Sequence, residues 1–191
     1  MSILILFVSL ALWGYVHSVL ASYFAKRKIN LGRWYRLAYN AFALLSFAAI
    51  LTLMRTLPDR LIYQVPAPWN ILMFGGQLLA ILLLLIVIMQ TDILSFIGFR
   101  QLSEGEQPGK LITRGLYRLV RHPLYTAILL FIWLTPTMTQ NSLTVYLGAT
   151  AYILVGAYFE EKKLSREFGE SYVEYKRKTP MLIPGFGFRR K

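Results

Sequence analysis

The chain has 191 residues, 56% of them hydrophobic, with a mean hydropathy of +0.49 and no cysteine. That apolar share exceeds what soluble domains carry, and the missing cysteines exclude a disulfide framework, a thiolate nucleophile and a cysteine-based metal centre. A formal net charge of +12 raises nucleic acid as a partner, but the order of the segments accounts for the charge without one.

A bilayer core of ~30 Å needs about 20 apolar residues per helix. Residues 3–24, 37–57 and 69–90 reach that length. Residues 123–138 and 142–159 are shorter, are separated only by the polar run TQNS, and read as a tight helical hairpin. The first segment has neither a basic start nor a small-residue cleavage site, so it is expected to be a retained anchor rather than a signal peptide. The expected fold is all-α and polytopic, with about five transmembrane helices in a single membrane domain over 1–191. Three helices fill 1–90, and 91–191 forms a second half. No internal repeat or low-complexity tract divides the chain.

Charge orients these spans. Lys26, Arg27, Lys28, Arg33 and Arg36 separate the first two, while Arg100, Lys110, Arg114, Arg118 and Arg121 separate the third and fourth. Nine more basic residues follow the fifth, and only Arg55 and Arg60 remain for the other side. By the positive-inside rule the rich regions are cytoplasmic and the N-terminus lies outside. The expectation is an integral protein of a bacterial or archaeal inner membrane, with the lipid bilayer as partner and no nucleic acid.

The connection over 91–121 has a turn-rich centre, SEGEQPGK. After the fifth span, EEKKLSREFGESYVEYKRKTP places Leu164, Phe168, Tyr172 and Tyr175 on one helical stripe, the mark of an amphipathic tail helix along the cytoplasmic interface, ended by Pro180 and Pro184. The fifth helix is expected to stop at Glu160 and Glu161.

The run RLVRHPLY carries the chemistry. Pro123 suits the first position of a helix, where its missing N–H costs nothing, and leaves His122 at the cap. An antiparallel hairpin then brings His122 and the two glutamates to nearly the same depth. An acid placed mid-bilayer costs on the order of 2.5–3.5 kcal/mol, so these need partners: Arg118, Arg121, His122 or a cationic ligand. The plainer reading is an interfacial cap beside a solvated helix end. His17, the only other histidine, reads more readily as a hydrogen-bonded interior residue than as a ligand. Asp92 and Arg100 can pair with each other.

Standard soluble cofactor signatures are missing. GEQPGKL fails as a phosphate-binding loop, because only three residues separate its glycines and leucine follows the lysine. There is no H-E-x-x-H, no G-x-S-x-G and no histidine pair at metal spacing.

The run GKLITRGLYRLVRHPLY, followed some 35 residues later by EEKKLSREFGESYVEYKRKTP, resembles the integral-membrane methyltransferase superfamily of isoprenylcysteine carboxyl and phospholipid methyltransferases. The likeness covers about residues 100–184. WGYVHSVLAS and TDILSFIGFRQL look like the branch of methanethiol S-methyltransferases and NnrU-like proteins. The resemblance implies S-adenosylmethionine as cofactor. It implies a pocket formed by Gly109, Lys110, Leu111, Ile112, Tyr117, His122, Pro123, Leu124, Tyr125 and one or both of Glu160 and Glu161, with the tail helix as a lid. Such a pocket offers acids to the cofactor's cationic groups and aromatic faces to its sulfonium.

The implied reaction is methyl transfer to a small thiol or a lipophilic acceptor, a thiol such as methanethiol first. Arg121, His17 and Asp92 are the candidate catalytic residues, and no metal is expected. Isoprenylcysteine enzymes carry an arginine about a turn before the paired glutamates, where this chain has Gly156 and Ala157. Carboxyl or phospholipid N-methylation, an NADPH-binding membrane reductase and a non-enzymatic NnrU-like protein are the alternatives.

Overall fold

The structure is a computed structural model and describes residues 1–91, 97, 99–100 and 110–185. Asp92 and Gly109 lie outside the described residues. The helices are numbered along the described chain as α1 (Ser2–Ala21), α2 (Tyr23–Lys28), α3 (Tyr35–Thr56), α4 (Trp69–Gln90), α5 (Pro123–Trp133), α6 (Gln140–Phe168) and α7 (Glu170–Lys178). Short 3-10 turns precede α3 at Gly32–Trp34 and follow α4 at Gly115–Arg118. Strands β1 (Leu61–Gln64) and β2 (Thr137–Thr139) pair antiparallel.

Among the described residues four helical segments, Ser2–Ala21, Gly32–Thr56, Trp69–Gln90 and Gln140–Phe168, are long and apolar enough to cross a membrane. They leave large apolar side chains such as Leu4, Phe7, Leu44, Leu45, Ile71 and Leu72 outward, as a lipid-facing surface requires. The all-α, polytopic membrane architecture is therefore as expected.

Two details differ from the expectation. The fourth apolar segment is only an 11-residue helix, Pro123–Trp133, because Leu134 closes it ahead of Pro136 and the chain then turns into β2. The fifth helix does not stop at Glu160 and Glu161. It runs on to Phe168, since nothing in EEKKLSREF breaks a helix. The break comes at Gly169, whose φ of 54° and ψ of −133° only glycine adopts readily.

The chain divides into two compact units. One comprises Met1–Gln64, Asp92–Pro108 and Thr137–Ala149, the other Val65–Thr91, Gly109–Pro136 and Thr150–Lys191.

In the first unit Leu6, Ile50 and Val145 form the buried core. Trp13 Nε1 donates to Ser46 Oγ at 3.1 Å, and Tyr35 donates to the Leu20 carbonyl at 2.6 Å. The start of α6 is capped twice. Thr139 N–H donates to Ser142 Oγ and Ser142 N–H to Thr139 Oγ1, a reciprocal box, while Asn141 N–H donates to Asp59 Oδ1 at 3.0 Å.

In the second unit α4 packs along α5. A Cβ on Gly76 would collide with Leu134, so glycine permits the close approach. Gln77 Nε2 donates to the Phe131 carbonyl at 3.1 Å, and Gln90 Oε1 accepts from Leu116 N–H at 3.0 Å. The first contact joins the first half of α4 to α5, and the second ties the end of α4 to the segment that leads into Arg121 and His122.

Candidate functional site

Residues 121–123 are held by the chain beyond the tail helix. Pro123 opens α5, which leaves the N–H groups of the preceding residues without helical partners. Arg121 N–H donates to the Pro180 carbonyl at 2.9 Å and His122 N–H to the Met181 carbonyl at 3.1 Å. Thr126 Oγ1 adds a bond to the Leu182 carbonyl at 2.7 Å. The passage after α7 thus docks onto the mouth of α5, a partnership no local pattern announces.

Onto this frame the side chains converge at Glu161. Arg121 donates from Nε to Oε1 at 2.6 Å and from Nη2 to Oε2 at 2.9 Å, the forked geometry that guanidinium and carboxylate share. Lys176 Nζ lies 2.9 Å from Oε2, Tyr172 donates to Oε1 at 3.0 Å, and His122 Nε2 is 3.2 Å from Oε1. Arg121 Nη1 also donates to the carbonyls of Lys176 and Thr179. The Arg121, His122 and Glu161 side chains are all buried. A charged pair in such a place survives only with its hydrogen bonds complete, as here.

Glu160 has different surroundings. Tyr125 donates to its Oε2 at 2.9 Å, and His122 Nδ1 is 3.7 Å away. Among the described residues those are its polar partners, and its side chain stays 43% exposed. The His122 and Tyr125 rings stack with centroids 5.4 Å apart. One imidazole therefore bridges a closed carboxylate and an open one.

The surrounding phenols remain protonated. Burial, with the nearby Tyr117 and Glu161, pushes Tyr175 up to about 12 against the opposing pull of Arg121. Its hydroxyl donates to the Tyr117 carbonyl at 2.6 Å. Burial and the Glu161 charge raise Tyr172 well above the ordinary phenol range, and burial followed by Glu160 raises Tyr117.

Two clefts open here. One of about 590 Å³ is lined by Arg121, Tyr158, Glu161, Lys162, Arg166 and Lys176. The other, about 560 Å³, is lined by Leu111, Thr113, Arg118, Ser171, Glu174 and Tyr175.

The structure brings together Arg121, His122, Pro123, Tyr125, Glu160 and Glu161. Leu111 lies in the second cleft, and Tyr117 joins through its bond from Tyr175. Lys110 is exposed, and Ile112 and Leu124 are half-buried. His17 belongs to the first unit, where Tyr39 hydrogen-bonds its Nε2 at 2.6 Å and Trp13 stacks on it at 4.9 Å. That environment matches the interior-residue reading. Lys176, Thr179, Pro180 and Met181 were not anticipated as members of the site. The basic tail KRKTP was the available sign, legible only once Glu161 needed partners.

Four helices of bilayer-crossing length, with a buried ionic cluster inside the second unit, define an integral membrane protein that holds a polar site. The chain belongs to the phospholipid methyltransferase family, whose model matches residues 71–171. It is 44% identical over 97 residues to methanethiol S-methyltransferase 2 of Bradyrhizobium diazoefficiens, covering 51% of this chain and 37% of that protein. It is 40% identical over 92 residues to methanethiol S-methyltransferase of Pseudomonas deceptionensis, covering 46% and 35%. Protein-S-isoprenylcysteine O-methyltransferase B of Arabidopsis thaliana is 33% identical over 85 residues, covering 41% and 42%. The matched part thus spans well under half the length of these curated relatives. No solved structure matches.

Proposed function

We propose that this chain is a membrane methyltransferase that uses S-adenosylmethionine and methylates a small thiol, such as methanethiol, at the cytoplasmic face. The observation that carries the reading is the open Glu160 carboxylate set against the stacked His122–Tyr125 pair. A partly exposed carboxylate beside aromatic faces suits a ligand with ammonium and sulfonium groups. When bound, that cofactor supplies a methyl group already activated for in-line transfer.

The residues of the chain orient and exclude water. Glu160 holds the cationic part of the cofactor, and Tyr125 fixes the carboxylate. Glu161 fixes His122 from behind. In this reading Lys110, Leu111, Ile112, Tyr117, Pro123 and Leu124 complete the cofactor surface, and Gly109 is assigned to it by the resemblance alone. The thiol acceptor reacts as thiolate, and the positive charge of Arg118, with that of Arg121 partly offset by Glu161, favours that form. Alignment and exclusion of water are the main levers, since proximity alone supplies about 7–11 kcal/mol in well-oriented reactions.

Two relatives named methanethiol S-methyltransferase, at 40% and 44% identity, support the thiol. So does the pair Gly156 and Ala157, which supplies no arginine where isoprenylcysteine enzymes carry one. The concentration of basic residues in two connections and the segment after residue 159 supports the cytoplasmic placement. The test is purified protein with radiolabelled S-adenosylmethionine and a panel of methanethiol, prenylcysteine and amino lipids. Dimethyl sulfide from methanethiol is expected. Label appearing only in prenylcysteine or amino lipid would reassign the acceptor, and calorimetric binding of NADPH instead of S-adenosylmethionine would overturn the reading.

A further inference from the structure

The cleft beside Arg121 carries more positive charge than the ionic cluster uses. Its lining includes Arg121, Lys162, Arg166 and Lys176, against the single carboxylate of Glu161. Arg121 and Lys176 are committed to that carboxylate, whereas Lys162 and Arg166 stand exposed one turn apart on α6. Lys162 Nζ sits 4.5 Å over the Tyr158 ring, which places the ammonium at the lip of the cleft.

The same helix face changes character just before it. Leu154, Val155 and Tyr158 are exposed at 43%, 55% and 55%. Their spacing continues to Lys162 and Arg166 at i+4 and i+8 from Tyr158. An apolar strip therefore runs along α6 and ends on a cationic ledge with a cavity of about 590 Å³ behind it. That volume falls in the range of roughly 300–1,000 Å³ typical of small-molecule sites.

We infer that this cleft seats the phosphate of an anionic phospholipid, held as a resident ligand with its acyl chains along Leu154, Val155 and Tyr158. A free phosphate would satisfy the cations and leave the strip unused. A phosphodiester on hydrocarbon chains uses both halves, and basic pockets at the edge of membrane helices bind anionic headgroups on this principle. The headgroup of phosphatidylglycerol offers neither thiol nor amine, so this lipid is not the methyl acceptor; its seat borders the candidate site at Arg121 and Glu161, and the inference does not depend on the proposed reaction.

The test is native mass spectrometry of the full chain in detergent with phosphatidylglycerol, with phosphatidylcholine of the same acyl length, and with sodium phosphate as competitor. The wild type is expected to retain phosphatidylglycerol over phosphatidylcholine. The double variant Lys162→Gln/Arg166→Gln is expected to lose roughly tenfold or more in that affinity, while Lys178→Gln, at the other cleft, leaves it unchanged. Circular dichroism confirms that the double variant is folded. If it does not extract, the single variants each show a partial loss. Equal retention of the two lipids, or undiminished phosphatidylglycerol binding in the folded variants, overturns the inference. Displacement by inorganic phosphate at matched concentration marks a site for free anions and overturns the lipid assignment.

Discussion

At Glu161, five donor atoms from four side chains converge on two oxygens. Truncating that residue leaves the Arg121 guanidinium buried without its counter-charge, which costs about 3–5 kcal/mol. Glu161→Ala is therefore expected to lower the thermal unfolding midpoint in detergent by many degrees. Glu160, half open, is expected to behave in the opposite way. Glu160→Gln keeps the unfolding midpoint near wild type and weakens S-adenosylmethionine binding about tenfold or more, read by calorimetry. Equal destabilisation in both variants would refute this division. The sequence placed both glutamates near His122 from hairpin geometry alone. It could not rank them, because adjacent residues on a helix point about 100° apart and only the tertiary partners decide which is enclosed.

A second expectation at this scale concerns alkaline pH. Tyr175 stays protonated in the fold to about pH 12, whereas an unfolded phenol ionises near 10. A raised folded value means stability that is complete below pH 10 and is lost as pH rises toward 12. Tyr175→Phe forfeits one buried hydrogen bond, about 1 kcal/mol. The gap between wild type and variant is expected at pH 8 and shrinks by pH 11 in denaturant titrations.

At the scale of elements, two helix ends have separable causes. Asp59 accepts from Asn141 N–H at the start of α6. Although desolvation opposes ionisation, Thr139 and the backbone N–H groups of Asn141, Arg60 and Gln140 hold Asp59 below the usual carboxylate range. Its contribution is present above about pH 4 and vanishes as pH falls through the depressed value. Asp59→Ala is expected to cost about 1 kcal/mol at pH 7 and little in strong acid, measured by unfolding at both. At the other end, a Cβ on Gly169 meets nothing within 4 Å, so Gly169→Ala tests backbone strain alone, with a penalty of about 1–3 kcal/mol.

The tail stripe of Leu164, Phe168, Tyr172 and Tyr175 was legible because its period survives on both sides of Gly169. The end of α6 was misplaced because charge at Glu160 and Glu161 looks like a boundary, although helices end at breakers and caps rather than at polarity. The strands β1 and β2 gave no signal. They are four and three residues long, β1 is exposed throughout, and their register shifts between Leu61 and Tyr63.

At the scale of the whole molecule, the outward apolar side chains of the long helices set the behaviour of the protein. It is expected to stay in the membrane pellet through a high-salt or alkaline carbonate wash and to enter solution only with detergent. Composition and span length alone make that much readable. The two-unit division was not readable, since each unit gathers three separate stretches of chain and α6 passes from one unit to the other after Ala149.

The carbonyls of Pro180, Met181 and Leu182 that grip the mouth of α5 impose an order of events. Arg121 finds its carbonyl partner at Thr179 only 58 residues downstream. On a ribosome, the imidazole and its neighbours are inserted and exposed for several seconds before that clasp is synthesised, at about 5–20 residues per second. Chains halted after Lys178 would reach the bilayer with the four long apolar helices named above present and the polar centre unlatched.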